Sequence, residues 1–93
     1  RNILYICGHT HVPRNQAVKK ARIFNPGSLG KPLDRDSRAS FGIVEVSGDT
    51  VSFDVIRIPY DIERTVRALD ERQVPWRKGI INSLRTAVYT DEE

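Results

Sequence analysis

A chain of 93 residues has room for one small domain with a modest core, and this one carries a net charge of +3. With 39% hydrophobic and 29% charged residues, its composition excludes a disordered tail, and no apolar run approaches the roughly 20 residues that span a bilayer. Cys7 is the single cysteine, which excludes an internal disulfide and leads us to expect a cytoplasmic protein. Because no apolar run is long enough to span a bilayer, we also expect no membrane contact.

The first third of the chain predicts two short strands, each followed by a loop. The apolar run at residues 2–7 is typical of a strand buried on both faces. Gly8 and Pro13 interrupt that pattern, so the stretch GHTHVPRN is predicted to be a loop at the end of the strand. A second strand is predicted at residues 21–24, and the stretch NPGSLGKP after it is too rich in Gly and Pro for regular structure.

The middle of the chain carries the clearest pattern, that of a β-hairpin. Two runs rich in β-branched and aromatic residues, 41–46 and 51–58, flank the short segment SGDT. A central Gly-Asp between two such runs is typical of a tight hairpin turn. In the second run Val51, Phe53 and Val55 alternate with other residues, which places these three side chains on one face.

After the hairpin, the apolar spacing changes to that of a helix. Asp61 is a suitable N-cap. Three apolar residues then recur at helical intervals: Ile62, Val66 and Leu69. A second, shorter helix is predicted beyond Pro75, although Gly79 weakens it. Its apolar residues are Trp76, Ile80, Ile81 and Leu84.

The only two histidines, His9 and His11, lie one residue apart in the first predicted loop. Neutral imidazole is the commonest ligand of transition metals, and in an extended segment residues i and i+2 point to the same side. The pair is therefore a candidate to hold one metal or two adjacent metals. Two alternatives stay open: ordinary surface histidines, or a structural zinc site in which Cys7 is a third ligand.

Two histidines cannot complete a catalytic metal site, which needs at least three protein ligands. If His9 and His11 are ligands, we expect the others in sequence outside these 93 residues. The chain contains no methionine and opens on Arg1, directly before the first predicted strand. We therefore expect it to be a fragment.

The motif GHTHVP followed by FNPGSLGKP resembles the C-terminal signature of the calcineurin-like metallophosphoesterases, and is most similar to their compact prokaryotic branch of small phosphodiesterases. The predicted hairpin and the stretch YDIERTVRALDERQVP are also similar to that branch. The resemblance implies an α/β fold, namely the C-terminal portion of a four-layer α-β-β-α sandwich with a β-hairpin and C-terminal helices. Residues 1–93 would then be the C-terminal half of a single domain whose N-terminal half is absent.

The resemblance also implies a hydrolase in which two divalent transition-metal ions activate a water that attacks a phosphodiester or phosphomonoester. His9 would bind one metal and His11 the other, with Mn preferred and Fe, Zn, Ni or Co compatible. Five residues are expected to line the substrate pocket: Gly8, Thr10, Asn25, Gly27 and Ser28. The family's Asp-x-His, Gly-Asp and Gly-Asn-His elements do not precede Gly8 here, so the catalytic residues are expected in the absent half. The chain alone is then expected to be inactive.

The expected partners are a phosphate-ester substrate and the absent half of the domain, and a homo-oligomer is compatible with the sequence. Four basic residues are candidates to attract an anionic substrate, although solvated surface charges fit the same pattern: Lys19, Lys20, Arg22 and Arg38. A non-catalytic binding or scaffold module of the same fold is the alternative function, and the retention of both histidines argues against it. Nucleic acid is expected only as a substrate, because the aromatic residues do not interleave with the basic ones as stacking platforms would.

Overall fold

A computed structural model describes residues 3–90 as five strands and two helices. The strands are β1 (Ile3–Ile6), β2 (Arg14–Val18), β3 (Ala21–Asn25), β4 (Ala39–Ser47) and β5 (Thr50–Ile58), and the helices are α1 (Ile62–Glu71) and α2 (Arg77–Thr86). The predicted α/β class is confirmed. Within residues 3–90 no helix is both long enough and apolar enough to cross a membrane.

The first three strands form one sheet in the order β1-β3-β2. β1 runs parallel to β3, from Ile3 opposite Ala21 to Ile6 opposite Phe24, and β2 is antiparallel to β3 on its other side. Parallel strands end at the same edge of a sheet, which is where α/β proteins commonly place their binding loops. The loop after β1 and the loop after β3 therefore start side by side.

β2 is an element that the sequence does not predict. A loop is predicted for residues 8–15, and this is wrong at its end because β2 begins at Arg14. Every side chain of β2 is exposed, so the sequence RNQAV lacks the alternation that marks a half-buried strand. The strand instead forms through its ladder with β3, from Arg14 opposite Asn25 to Val18 opposite Ala21.

The first predicted strand is observed as β1, and Asn2 of the predicted range lies outside the described residues. The prediction that this strand is buried on both faces is wrong for the part of the chain that the structure describes. Ile3, Tyr5 and Ile6 expose 48%, 54% and 62% of their surface. In the sheet of residues 3–90, β1 is an edge strand that pairs with β3 alone. Its apolar side chains consequently face solvent.

The predicted β-hairpin is confirmed as β4 and β5. The two strands pair from Ala39 opposite Ile58 to Ser47 opposite Thr50, which leaves a two-residue turn. Gly48 in this turn has φ 58°, the left-handed conformation that such turns require. The hairpin packs against the first sheet through Phe53 of β5, whose ring stacks on the fully buried ring of Phe24 with centroids 4.4 Å apart.

Both predicted helices are observed and pair with each other, but the prediction that the second is shorter is wrong, because α1 and α2 have 10 residues each. The Asp61 side chain accepts a hydrogen bond from the Arg64 backbone N–H, as expected of an N-cap. Val66 of α1 and Leu84 of α2 are buried. The guanidinium of Arg85 in α2 forms a salt bridge of 2.6 Å with Glu63 in α1.

Candidate functional site

Both histidines belong to the segment after β1, which we call the His loop (residues 7–13). The Thr10 N–H donates to the Gly8 carbonyl over 3.0 Å, so the backbone makes a tight turn around His9. His9 has φ 76° and His11 has φ 60°, left-handed values that residues other than glycine rarely adopt. The loop is therefore not extended, and the inference that His9 and His11 share a side through i, i+2 alternation is wrong.

His11 is anchored to the segment after β3, which we call the Pro-Gly loop (residues 26–38). Its Nδ1 lies 2.9 Å from the Lys31 carbonyl oxygen, and the Leu33 N–H donates to the His11 carbonyl over 3.0 Å. A carbonyl oxygen can only accept, so Nδ1 is the donor, and in the neutral imidazole the lone pair is then on Nε2. Metal-ligating histidines are typically oriented by this same N–H to carbonyl bond, because it fixes both the tautomer and the ring.

Asn25 joins the two loops at their base. It is the last residue of β3 and exposes only 3% of its surface. Its Nδ2 donates to the Gly8 carbonyl over 3.2 Å and to Thr10 Oγ1 over 3.0 Å. Its Oδ1 accepts from the Gly27 N–H over 2.9 Å. One buried amide thus uses both donors and its acceptor to hold the His loop against the Pro-Gly loop.

Gly27 is required both by backbone conformation and by space. It has φ 80°, and a Cβ added there would lie 2.9 Å from Ser40 Oγ and 3.0 Å from Pro13 Cγ. Ser40 is itself fixed, because it is buried and its hydroxyl donates to the Pro26 carbonyl over 2.6 Å. The Pro-Gly loop can therefore approach the His loop closely only with glycine at this position.

Ser28 shapes the turn that presents the Lys31 carbonyl. Its Oγ accepts from the Lys31 N–H over 2.9 Å, and its carbonyl accepts from the Ser40 N–H over 3.0 Å.

The five predicted pocket residues, Gly8, Thr10, Asn25, Gly27 and Ser28, all lie in or directly beside the two loops. Hydrogen bonds of Asn25 and Ser28 therefore orient the surroundings of His11. Lys31 takes part through its carbonyl, a contact that the sequence motif alone does not indicate.

The structural zinc site of Cys7, His9 and His11 is not formed. Across residues 3–90, no three side chains of His, Cys, Asp or Glu come together in a metal-binding group. The Cys7 thiol instead points to the Phe24 carbonyl, with Sγ 3.6 Å from the oxygen. The two imidazoles suit a transition metal by their chemistry, but the described residues supply only part of a ligand set.

The basic residues predicted to attract substrate are not gathered at this site. Lys19 and Lys20 connect β2 to the start of β3, and Arg22 follows within β3, whereas the His loop adjoins the other end of this sheet. Arg22 donates to Asn15 Oδ1 over 2.9 Å. The parallel register separates these three residues from the His loop, which favours the alternative that they are solvated surface charges.

Arg38 does lie in the Pro-Gly loop, but its charge is paired. Its guanidinium hydrogen-bonds Asp36 over 2.7 Å, and this bond holds the pKa of the Asp36 carboxyl well below its usual range. Arg57 of β5 reaches the same segment: it forms a salt bridge with Asp34 and donates to the Asp36 carbonyl over 3.2 Å. The contacts of Arg57 fasten the Pro-Gly loop to the hairpin, whereas the Arg38–Asp36 pair lies within the loop itself.

Comparison with known proteins identifies the family. The model of the calcineurin-like phosphoesterase superfamily domain matches residues 1–49, which include both histidines and the whole Pro-Gly loop. The chain belongs to the calcineurin-like phosphoesterase superfamily. Members of this superfamily generally bind divalent metals. A comparison with curated protein sequences gave no significant match.

Solved structures agree with membership of the calcineurin-like phosphoesterase superfamily. The chain is similar to a metallophosphoesterase from Sphaerobacter thermophilus, with a TM-score of 0.72 and 29% identity over 91% of this chain and 42% of that one. The hypothetical protein PH1004 from Pyrococcus horikoshii OT3 shares the fold, with a TM-score of 0.74 and 22% identity over 94% of this chain and 33% of that one. The chain thus spans less than half the length of either protein. The predicted likeness to part of a metallophosphoesterase fold is confirmed.

Proposed function

We propose that this chain supplies His9 and His11 as metal ligands to a phosphoesterase that hydrolyses phosphodiesters or phosphomonoesters. The observation that carries the proposal is the His11 contact, in which Nδ1 donates to the Lys31 carbonyl and Nε2 keeps its lone pair. Membership of the calcineurin-like superfamily supports the reaction class. Two divalent transition metals are the proposed cofactors; Mn is placed first on the resemblance to the family, and imidazole ligands suit several other transition metals as well.

Within such a site the residues of this chain would act by holding and orienting. When bound, the metals would supply a hydroxide nucleophile near neutral pH and stabilise the charge that develops on the phosphoryl oxygens. His9 and His11 would hold them as neutral imidazoles. Asn25 keeps the His loop and the Pro-Gly loop in one arrangement, so the ligands are ordered before any metal arrives.

The proposal includes residues 1–93 as the C-terminal portion of a larger phosphoesterase domain, with catalytic residues in the other portion. Its support is that the chain covers 42% of the Sphaerobacter thermophilus metallophosphoesterase. The exposed apolar side chains of β1 also favour it, since a strand of this composition is usually buried. The chain alone should then be inactive.

The experiment measures bound metal and hydrolysis of bis(p-nitrophenyl) phosphate and p-nitrophenyl phosphate by the whole protein, with any sequence that precedes or follows residues 1–93. His11→Asn places an amide N–H where Nδ1 donates but has no atom in place of Nε2. His11→Gln places a side-chain amide near the position that Nε2 occupies in the parent protein, but it loses the hydrogen bond that Nδ1 donates to the Lys31 carbonyl. Loss of an orienting partner typically costs 10–100-fold in metal affinity, so loss of the ligand itself in His11→Asn should cost about a hundredfold or more.

The expected result is that His11→Asn and His9→Ala lose metal and activity while their melting temperatures stay close to that of the parent protein. Chelation should abolish hydrolysis, and Mn²⁺ should restore it. Gln16→Ala, a change at an exposed position of β2, serves as the control. Full metal content and full activity in His11→Asn would refute the proposal and favour a non-catalytic scaffold.

A further inference from the structure

His11 is held at two points by the middle of the Pro-Gly loop. Its Nδ1 donates to the Lys31 carbonyl over 2.9 Å, and the Leu33 N–H donates to the His11 carbonyl over 3.0 Å. The first bond fixes the imidazole ring, and the second fixes the backbone that carries it. The orientation of His11 therefore depends on the position of residues 31–33, which is set by the contacts at the two ends of this short segment.

The end that precedes Lys31 is anchored to the hairpin through the buried Ser40 of β4. The Ser40 hydroxyl donates to the Pro26 carbonyl over 2.6 Å, and its N–H donates to the Ser28 carbonyl over 3.0 Å. Directly opposite Ser40 in the ladder of β4 and β5 lies Arg57. Cross-strand partners carry their side chains on the same face of a sheet, so Arg57 is placed to reach the same loop.

The end that follows Leu33 is anchored by Arg57 of β5. Its guanidinium forms a salt bridge with the Asp34 carboxylate and donates to the carbonyls of Asp36 and Arg38, over 3.2 Å in each case. The side chains of Arg57 and Asp34 are only 13% and 21% exposed, so solvent screens this pair less than a surface pair. The other carboxylate oxygen of Asp34 is buried without a hydrogen-bond partner among residues 3–90. Within that part of the chain, the carboxylate thus depends on Arg57.

Loss of Arg57 would leave the Asp34 carboxylate half-buried and unpaired. An unpaired charge in such a position is costly, and movement of the loop that carries Asp34 into solvent would relieve the cost. Asp34 directly follows Leu33, which holds the His11 carbonyl. Movement of Asp34 would therefore draw both partners of His11 away from it and free the imidazole to rotate.

We propose that Arg57 is a positioning residue for His11, and that it acts through Asp34 on residues 31–33. Because this segment carries both partners of His11, a fixed Asp34 keeps the imidazole in one orientation with Nδ1 as the donor. A guanidinium suits this task, since its planar fork of donors reaches a carboxylate and two carbonyls at once. The role of His11 as a metal ligand rests on the proposed function, whereas the orientation of its ring by Arg57 does not.

The first measurement is made without metal, on the whole protein with any sequence that precedes or follows residues 1–93. NMR nitrogen chemical shifts of the histidine rings at about pH 8, where imidazole is largely neutral, report which ring nitrogen carries the proton. Comparison with His11→Asn assigns the His11 signals. In the parent protein the His11 proton should be fixed on Nδ1. In Arg57→Gln the ring should lose its fixed partner and exchange between both tautomers.

The second measurement is the affinity for Mn²⁺, determined by calorimetry. Loss of an orienting partner typically costs 10–100-fold in metal affinity, and Arg57 acts one step further from the metal, so Arg57→Gln should weaken binding about tenfold. Gly48→Ala is the first control, because it strains the turn of the same hairpin without touching Arg57. Arg38→Gln is the second, because it removes an ion pair that lies within the Pro-Gly loop. Both controls should keep the His11 tautomer and the Mn²⁺ affinity of the parent.

If Arg57→Gln does not fold, Asp34→Asn tests the same contact, because it removes the charge of Asp34 and leaves the bonds from Arg57 to the two loop carbonyls. It should release the His11 tautomer in the same way. An unchanged tautomer in the folded variant, or an equal change in Gly48→Ala, would overturn the inference. A parent protein that binds no Mn²⁺ would instead overturn the proposed function, and the metal-free comparison would still decide whether Arg57 positions His11.

Discussion

Replacing Gly27 with alanine should loosen the contact between the two loops that surround His11. Alanine at φ 80° costs about 1–2 kcal/mol, because its Cβ crowds the following carbonyl oxygen. The new Cβ would also lie 2.9 Å from Ser40 Oγ and 3.0 Å from Pro13 Cγ. Overpacking of this kind typically costs about 1–3 kcal/mol. We therefore expect Gly27→Ala to lower the free energy of unfolding by about 2–5 kcal/mol.

Replacing three other glycines separates the cost of the left-handed backbone conformation from the cost of crowding. Gly48 has φ 58° with no atom within 4 Å of an added Cβ, so Gly48→Ala should show the cost of backbone conformation alone. Gly42 has no left-handed φ, but its added Cβ would collide with the Phe53 ring, so Gly42→Ala should show the cost of crowding alone. Gly30 has neither feature, and its replacement should change stability by less than about 0.5 kcal/mol.

The assay is urea denaturation followed by circular dichroism, in which the midpoint shifts while the slope stays constant if only stability has changed. Metal affinity of the folded variants is the second measurement, since displacement of Pro13 should move the His loop. Gly27→Ala is expected to lose both stability and metal affinity, and Gly48→Ala to lose stability alone. If Gly27→Ala lowers the free energy of unfolding no more than Gly48→Ala does, crowding against Ser40 and Pro13 is not the reason that position 27 requires glycine.

Asn25→Ala should lower the free energy of unfolding by about 2–4 kcal/mol, because the groups bonded to its buried amide lose their partner. Urea denaturation measures this loss. An equally large loss in the exposed control Asn82→Ala would contradict the assignment. The Arg85 guanidinium hydrogen-bonds Glu63 and lowers the pKa of its carboxyl from the ordinary 4.5. The pair therefore stabilises the folded protein above pH 4.5, and this stabilisation is lost as the pH falls through the pKa of Glu63 in the folded protein. Glu63→Gln should therefore reduce the drop in melting temperature on acidification below about pH 5, and an equal drop in this variant and in the parent protein would contradict the reasoning.

The sequence predicts the local parts of this fold well. The hairpin follows from Gly48 and Asp49 between two β-rich runs, and the start of α1 follows from Asp61, because each signal lies within a few residues of the structure that it specifies. β2 could not be predicted in this way. Its side chains carry no burial pattern, and its ladder depends on β3, which comes later in the chain.

At the candidate site, the motif indicates the residues but not their arrangement. His9 and His11 were expected to share a side because extended strands alternate, yet both adopt left-handed backbone conformations in a tight turn. The partner of His11 is a backbone carbonyl at Lys31, and every residue type has such a group, so no sequence pattern marks it.

The hydrogen bonds of Asn25 also bear on the order in which the chain folds. They join residues that are 15 and 17 positions apart in sequence, and they require the parallel pairing of β1 with β3. A hairpin such as β4–β5 closes in roughly 1–10 μs, whereas non-local parallel pairing is slower because a longer segment must first be ordered. The histidines should therefore reach their final geometry only after the hairpin has formed, and the proposed metal ligands would be among the last parts of this chain to be put in place.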